Sequence, residues 1–154
     1  MRILHTKSNN ITPICKIALK VYMAQDAQLK SKKVLIVEDD SIQQIVLERI
    51  INQMGHTVIG SSSKGSQAIE SALRIGAVDL ILMDINLADE VDGIEAAKEI
   101  NKHRDVKLIY ITSSEDPEDL KRAKETDFVA YLTKPLVKES LESAFDKAFA
   151  NASL

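Results

Sequence analysis

The sequence has no tryptophan, only three tyrosines and three phenylalanines, one cysteine, three prolines and five glycines among 154 residues. The lone Cys15 cannot close an intrachain disulfide, which excludes a disulfide-stapled scaffold and fits a reducing, cytoplasmic setting. Scarce proline and glycine exclude collagen-like and low-complexity classes. No apolar run approaches the roughly 18 to 20 residues needed to cross a bilayer, and the best apolar stretch near the N-terminus is broken by Lys16 and Lys20. Neither a membrane span nor a secretory signal is expected. Positive charge is also in short supply, with 20 Lys and Arg against 23 Asp and Glu. Residues 1–33 carry seven of those cations and one Asp (+6), leaving 13 cations against 22 acids (−9) from Val34 onward. An acidic domain argues against direct binding of nucleic acid, which needs clustered Lys and Arg on one face.

What remains is ordinary globular material, 45% hydrophobic and 28% charged, of a size that suits one domain with one core. From Lys33 onward one theme repeats five times, a short apolar run followed by an amphipathic stretch. The runs are Val34 to Val37, Thr57 to Gly60, Leu80 to Met83, Leu108 to Ile111 and Val129 to Leu132. Each is too short for a helix and rich in Val, Ile or Leu, as expected of strands covered on both faces of a parallel sheet. Between them Ile42, Ile45, Val46, Arg49 and Ile50 follow a helical period, as do Ile69 with Leu73, and Ile94, Ala97 and Ile100. Such alternation predicts right-handed crossovers and an α/β fold: a doubly wound, five-stranded parallel sheet of flavodoxin-like order 2-1-3-4-5 with helices on both faces. Ser41 is expected to cap the first of these helices, Asp116 with Pro117 a later one, and Gly55 and Gly76 to close the helices before them. The last helix is expected to begin after Pro135 and to use Leu136, Leu141, Phe145 and Phe149.

Ligands of doubly wound sheets lie at the carboxyl ends of the strands, where the chain order reverses. The first strand ends in Glu38, Asp39 and Asp40, the third in Asp84, the fourth in Thr112 and Ser113, and the fifth in Lys134 and Pro135. Singly, each has an ordinary reading as a cap, a loop residue or a solvated charge. Jointly they aim carboxylates, a hydroxyl and an ammonium at one rim. Two carboxylates roughly 4 Å apart repel by about 4 kcal/mol at an effective dielectric of 20. Grouping three therefore calls for a cation, and oxygen-only donors suit Mg²⁺. An aspartate beside such an ion can act as a nucleophile toward phosphorus, with positioning and charge neutralisation supplying most of the acceleration.

These residues resemble the receiver domain of two-component response regulators, in particular its single-domain, chemotaxis-regulator-like members. The resemblance covers about residues 32–150. It rests on Val34-Leu-Ile-Val-Glu-Asp-Asp40, Leu82-Met-Asp-Ile-Asn-Leu87, Asp92-Gly93, Ile111-Thr-Ser113 and Tyr131-Leu-Thr-Lys-Pro135, in the family's order and close to its spacing. It implies that Asp84 is the phosphoacceptor, and that Glu38, Asp39, Asp84 and the backbone carbonyl of Asn86 hold Mg²⁺. Thr112 matches the switch hydroxyl, Tyr131 the aromatic that turns inward with it, and Lys134 the lysine that pairs with the phosphoryl group, with Pro135 expected to follow a cis bond. It further implies phosphorelay signalling: phosphorylation by a histidine kinase or a histidine phosphotransfer protein, and output to a downstream target by protein contact near Tyr131. The chain is then a signalling phosphoacceptor that catalyses only its own phosphorylation and dephosphorylation. Two departures stand out. The loop between Asp84 and Gly93 is one residue longer than in the commonest members and lacks their proline; its Asp89 and Glu90 are read first as solvated loop charges, with tuning of metal affinity or of partner choice as the alternative. Ser113 stands where alanine is usual.

Two rival readings use the same residues. A phosphohydrolase forming an aspartyl phosphate would need an acid two residues beyond the nucleophile, where this chain has Asn86. A pseudo-receiver adaptor, binding without phosphorylation, sits poorly with the set Asp39, Asp84, Thr112 and Lys134. The domain is assigned to residues 33–151 and a basic N-terminal extension to residues 1–32. In the extension Ile14, Ile17, Val21 and Tyr22 have helical spacing, so a short docking helix, attraction to an anionic surface, and a plain flexible extension compete; the last is preferred, or a chain whose synthesis starts at Met23. His5, His56 and His103 show no metal-ligand spacing and receive no role.

Overall fold

The computed structural model of the chain describes residues 12–150. They fall into two units divided after Ser31. Before the division lies one helix, α1 (Pro13–Lys30), whose Ile14, Ile17, Leu19, Val21, Tyr22 and Met23 side chains are exposed. After it come five strands: β1 (Lys33–Val37), β2 (Thr57–Ser62), β3 (Leu80–Asp84), β4 (Lys107–Thr112) and β5 (Ala130–Thr133). They form one parallel sheet in the order β2-β1-β3-β4-β5, which is the expected doubly wound arrangement. Between and after them lie α2 (Ser41–Gln53), α3 (Gly65–Arg74), α4 (Gly93–Asn101), α5 (Pro117–Ala123) and α6 (Lys138–Phe149).

Successive strand residues point to opposite faces, and the chain uses both. Leu35, Val37, Ile81, Met83, Leu108 and Tyr110 pack into one core with α3, α4 and Ala123 of α5. Val34, Ile36, Leu80, Leu82, Ile109 and Ile111 pack into the other with α2 and α6. The three central strands are therefore buried almost throughout, and their apolar runs show no polar alternation because no face meets water. Burying each such side chain contributes about 1.5–3 kcal/mol before chain entropy is counted.

Several local expectations do not hold, each for a definable reason. On α2, Ile42 and Ile45 are 72% and 67% exposed and Val46 is half exposed, while Leu47 and Ile51 form the buried face with Ile50 at its edge. The helix starts at Ser41 but its cap is Asp40, whose carboxylate accepts from the Ile42 and Gln43 N–H groups at 2.8 and 3.1 Å. That cap sets where the helix begins and so which stripe meets the sheet. Gly55 does close α2, with φ +83°, but Gly76 does not take that role at α3. The closing carbonyls of Ala72, Ile75 and Gly76 accept instead from the Arg104 guanidinium, which reaches them from beyond α4. Leu73 is 43% exposed, because the small Ala68 and Ala72 carry α3 against the core. Leu136 precedes α6, which begins at Lys138, although it packs on the same core.

Candidate functional site

The chain leaves β1 for β2 on one side and later returns to β3 on the other, so a crevice opens between the carboxyl ends of β1 and β3. Glu38 and Asp39 follow β1 there, and Asp84 ends β3. Glu38 and Asp84 are buried and Asp39 is exposed. One carboxylate oxygen from each lies within 4.8 Å of the other two. Lys134, after β5, places its Nζ 2.6 Å from Glu38 Oε2 and 2.6 Å from Asp84 Oδ2. Burial pushes the Glu38 carboxyl up to about 7 against the hydrogen bond from Lys134, and the Asp84 charge pushes the same way as burial. Burial also works against the Lys134 ammonium, yet the bonds to Asp84 and Glu38 outweigh it and hold that pKa above its usual value.

Backbone groups orient the acids. Asp84 Oδ1 accepts from Asn86 N–H at 3.0 Å, Glu38 Oε1 from Asp40 N–H at 3.1 Å and Asp39 Oδ2 from Ala88 N–H at 3.2 Å. The Gln44 side-chain amide, one turn into α2, donates to the main-chain carbonyl of Glu38. Gly93 lets α4 start directly on β3: a Cβ at that position would lie 2.0 Å from the Asp84 carbonyl oxygen.

Thr112 is buried at the end of β4, its hydroxyl accepting from Ser114 N–H at 2.9 Å and its carbonyl from Lys134 N–H at 2.8 Å. Tyr131 is partly buried on β5, with Tyr110 opposite it in register. The pKa of its phenol is raised by burial and by the charge of Asp119, with the nearby Thr112 side chain acting the other way. The Lys134–Pro135 peptide bond is cis. Beside Lys134 a cleft of about 430 Å³ is lined by Gln43, Val46, Leu47, Ser113, Pro135 and Leu136.

Glu38, Asp39, Asp84 and Lys134 thus form one cluster, with Thr112 joined to it through the Lys134 backbone and Tyr131 on the neighbouring strand. Asn86 reaches the cluster by its N–H. Asp89 faces away from it, both its oxygens being engaged by Ser66 and by Glu90 N–H. His56 stacks on Phe145 at 4.7 Å and accepts from Lys32 N–H; His103 bonds to Glu99; His5 lies outside the described residues. Gln44 and Ser66 were missed, since nothing local in the sequence distinguishes them from other polar residues in a first helical turn. Three carboxylates against one ammonium leave a surplus of negative charge, and the charge of Asp84 adds to burial in raising Glu38. An oxygen-only donor set with that surplus fits a hard divalent cation. Among the described residues no helix is long and apolar enough to cross a membrane.

Comparison with known proteins agrees with this geometry. The profile of the response regulator receiver domain matches residues 34–146. The transcriptional regulatory protein PdtaR of Mycobacterium tuberculosis is 30% identical over 117 residues, covering 76% of this chain and 56% of that protein. The transcriptional regulatory protein CitT of Halalkalibacterium halodurans is 32% identical over 120 residues, covering 76% of this chain and 52% of its own length. The chain therefore spans about half the length of these curated relatives. Among solved structures, the signal receiver domain of a modulated diguanylate cyclase from Desulfovibrio desulfuricans superposes with a TM-score of 0.73 at 31% identity, covering 79% of this chain and 95% of that one. The receiver domain of a sensor histidine kinase from Pseudomonas aeruginosa, with a magnesium ion coordinated in its active-site cleft, gives 0.69 at 28% identity, covering 79% and 99%.

Proposed function

The chain belongs to the response-regulator receiver family of two-component signalling, and on that premise we propose that Asp84 is its phosphoacceptor. The observation that carries this reading is the cluster itself: a buried carboxylate at the switch point, held by an ammonium at 2.6 Å and beside two further acids. Receiver domains are signalling regulators and not classical enzymes, so the chemistry asked of the site is one transfer onto itself and its later reversal.

A carboxylate oxygen of Asp84 attacks phosphorus and forms the acyl–phosphate bond, while the bond from phosphorus to the donor's leaving atom breaks. The donor of that group is a histidine kinase or a histidine phosphotransfer protein. Lys134, now shared between Glu38 and Asp84, transfers its hydrogen bond to a phosphoryl oxygen, and the Thr112 hydroxyl gives up Ser114 N–H to do the same. Tyr131, on the strand paired with the one that ends in Thr112, follows that movement and alters the surface around β5 that a downstream protein reads. Glu38, Asp39, Asp84 and the carbonyl of Asn86 are the groups that would hold Mg²⁺. When bound, the ion neutralises the acids and the equatorial oxygens of the transferred group. A magnesium ion in the cleft of the Pseudomonas receiver domain supports this assignment. A cytoplasmic setting follows from these partners.

The test is intact-mass spectrometry after incubation with acetyl phosphate, with and without Mg²⁺, on the wild type and Asp84→Asn. A single Mg²⁺-dependent gain of one phosphoryl group, lost in Asp84→Asn, is expected. An adduct that persists in the variant, or no adduct under any condition, removes the assignment.

A further inference from the structure

We infer that Ser66 and Asp89 form a clasp that positions Asp39 for the cation, by fixing the loop whose Ala88 N–H holds the Asp39 carboxylate. The inference rests on the metal reading above and deepens it. Asp39 is the one exposed acid of the cluster, so no surrounding core fixes its rotamer. Among the described residues its carboxylate accepts one hydrogen bond, from Ala88 N–H to Oδ2 at 3.2 Å. Ala88 lies in the loop between β3 and α4, which bears its own weight on α3 at two neighbouring points.

The first point is a hydrogen-bonded one. The residue that caps α3, Lys64, makes no side-chain bond to the helix start, and the first-turn N–H of Ser66 is an orphan donor in need of an acceptor. Asp89 supplies it from across the fold: Oδ2 accepts from Ser66 N–H at 3.2 Å and from Ser66 Oγ–H at 2.9 Å, while Oδ1 accepts from its own neighbour Glu90 N–H at 2.9 Å. These bonds, with Ser66 N–H first among them, hold the Asp89 carboxyl below its usual range. The second point is steric. A Cβ on Gly65 would lie 2.1 Å from the Val91 carbonyl oxygen, so the loop backbone rests directly on the start of α3. Ala88 is thereby set one residue before a hydrogen-bonded anchor and three before a close backbone contact.

The result is a relay of short links, α3 to Asp89, Asp89 to Ala88 and Ala88 to Asp39, ending on a metal-ligating group. Outer groups that orient a ligand are worth as much as tenfold or more in metal affinity. Asp89 therefore acts on the cation without touching it, and Ser66 and Asp89 are positioning residues. The longer loop is accommodated by leaning on α3, which gives a role to its acidic residue.

The experiment is calorimetric titration of Mg²⁺ into the full chain, wild type against Asp89→Ala, Ser66→Ala and Ser66→Thr. Asp89→Ala is expected to weaken Mg²⁺ binding by about tenfold. Ser66→Ala, which keeps the N–H, is expected to weaken it less, with Ser66→Thr restoring it. In acetyl phosphate kinetics the loss should appear in the half-saturating Mg²⁺ concentration and not in the limiting rate. If Asp89→Ala lowers the melting temperature while binding Mg²⁺ as tightly as the wild type, the clasp is structural only and the inference is overturned. A wild-type chain that takes no Mg²⁺ overturns it too, but by removing the reading of the site, which is a separate result.

Discussion

The ammonium of Lys134 and the carboxylate of Asp84, 50 residues apart in the chain, lie 2.6 Å apart at the rim of the sheet. The same ammonium is 2.6 Å from Glu38, so one cation serves two buried acids. Removing one partner of a buried ion pair costs about 3–5 kcal/mol, because the other is left charged without compensation. Lys134→Met is therefore expected to lose about 3 kcal/mol at neutral pH without metal. Added Mg²⁺ should return part of that loss, and should bind the variant more tightly than the wild type because no ammonium competes for the acids. Urea unfolding with and without Mg²⁺ reads both quantities, and weaker Mg²⁺ binding by the variant would contradict this account.

Glu38 carries a pH dependence of its own. Its pKa rises from 4.5 to about 7 on folding, through burial and the charge of Asp84 against the Lys134 bond. The folded state thus holds more protons than the unfolded state between those values, so this group's contribution to stability falls as pH rises from about 4.5 to about 7. Mg²⁺ competes with that proton, and its affinity should climb with pH up to about 7 and then level off. Replacing Glu38 by Gln should flatten the climb. Titrations at pH 5.5, 6.5 and 8 decide it, and an equally steep profile in Glu38→Gln would assign the dependence elsewhere.

The strands were legible because burial on both faces leaves an uninterrupted apolar run, as in Leu80 to Met83. The site was legible because its acids and its lysine each follow such a run directly. Rotation of a helix is another matter. Ile42, Ile45 and Val46 make as good an apolar stripe on paper as Leu47 and Ile51, and the choice lies in the Asp40 cap and the short path from β1. Contacts that close across the fold left no local trace either: Arg104 on the end of α3 and Asp89 on its start both depend on a partner more than 20 residues away in sequence.

The phase of α2 can be checked by stability. Ile42→Ser and Ile45→Ser change side chains that are 72% and 67% exposed and should shift the unfolding free energy by no more than about 0.5 kcal/mol. Leu47→Ala and Ile51→Ala remove buried side chains and should cost about 2–5 kcal/mol each. Denaturant melts of the four variants read this directly. A large loss at Ile42 or Ile45 would mean that the stripe meets a partner surface within the folded protein.

Two glycines separate close approach from helix closure. At Gly93 a Cβ would sit 2.0 Å from the Asp84 carbonyl oxygen and 2.9 Å from Ile85 Cα, all backbone atoms that no rotamer change can move aside. Gly93→Ala must therefore push α4 away from β3, at a cost of about 1–3 kcal/mol or more. The displaced atoms belong to Asp84, so the damage should reach the site as a slower gain of the phosphoryl group from acetyl phosphate at saturating Mg²⁺. Gly76 has nothing within 4 Å of its would-be Cβ and no positive φ. Since Arg104 holds the end of α3 in place of a glycine closure, Gly76→Ala should be neutral to within about 0.5 kcal/mol. Melting curves and phosphorylation rates of the two variants test both halves. A tolerated Gly93→Ala would show that α4 can retreat without disturbing Asp84, and a costly Gly76→Ala would return the closing role to the glycine.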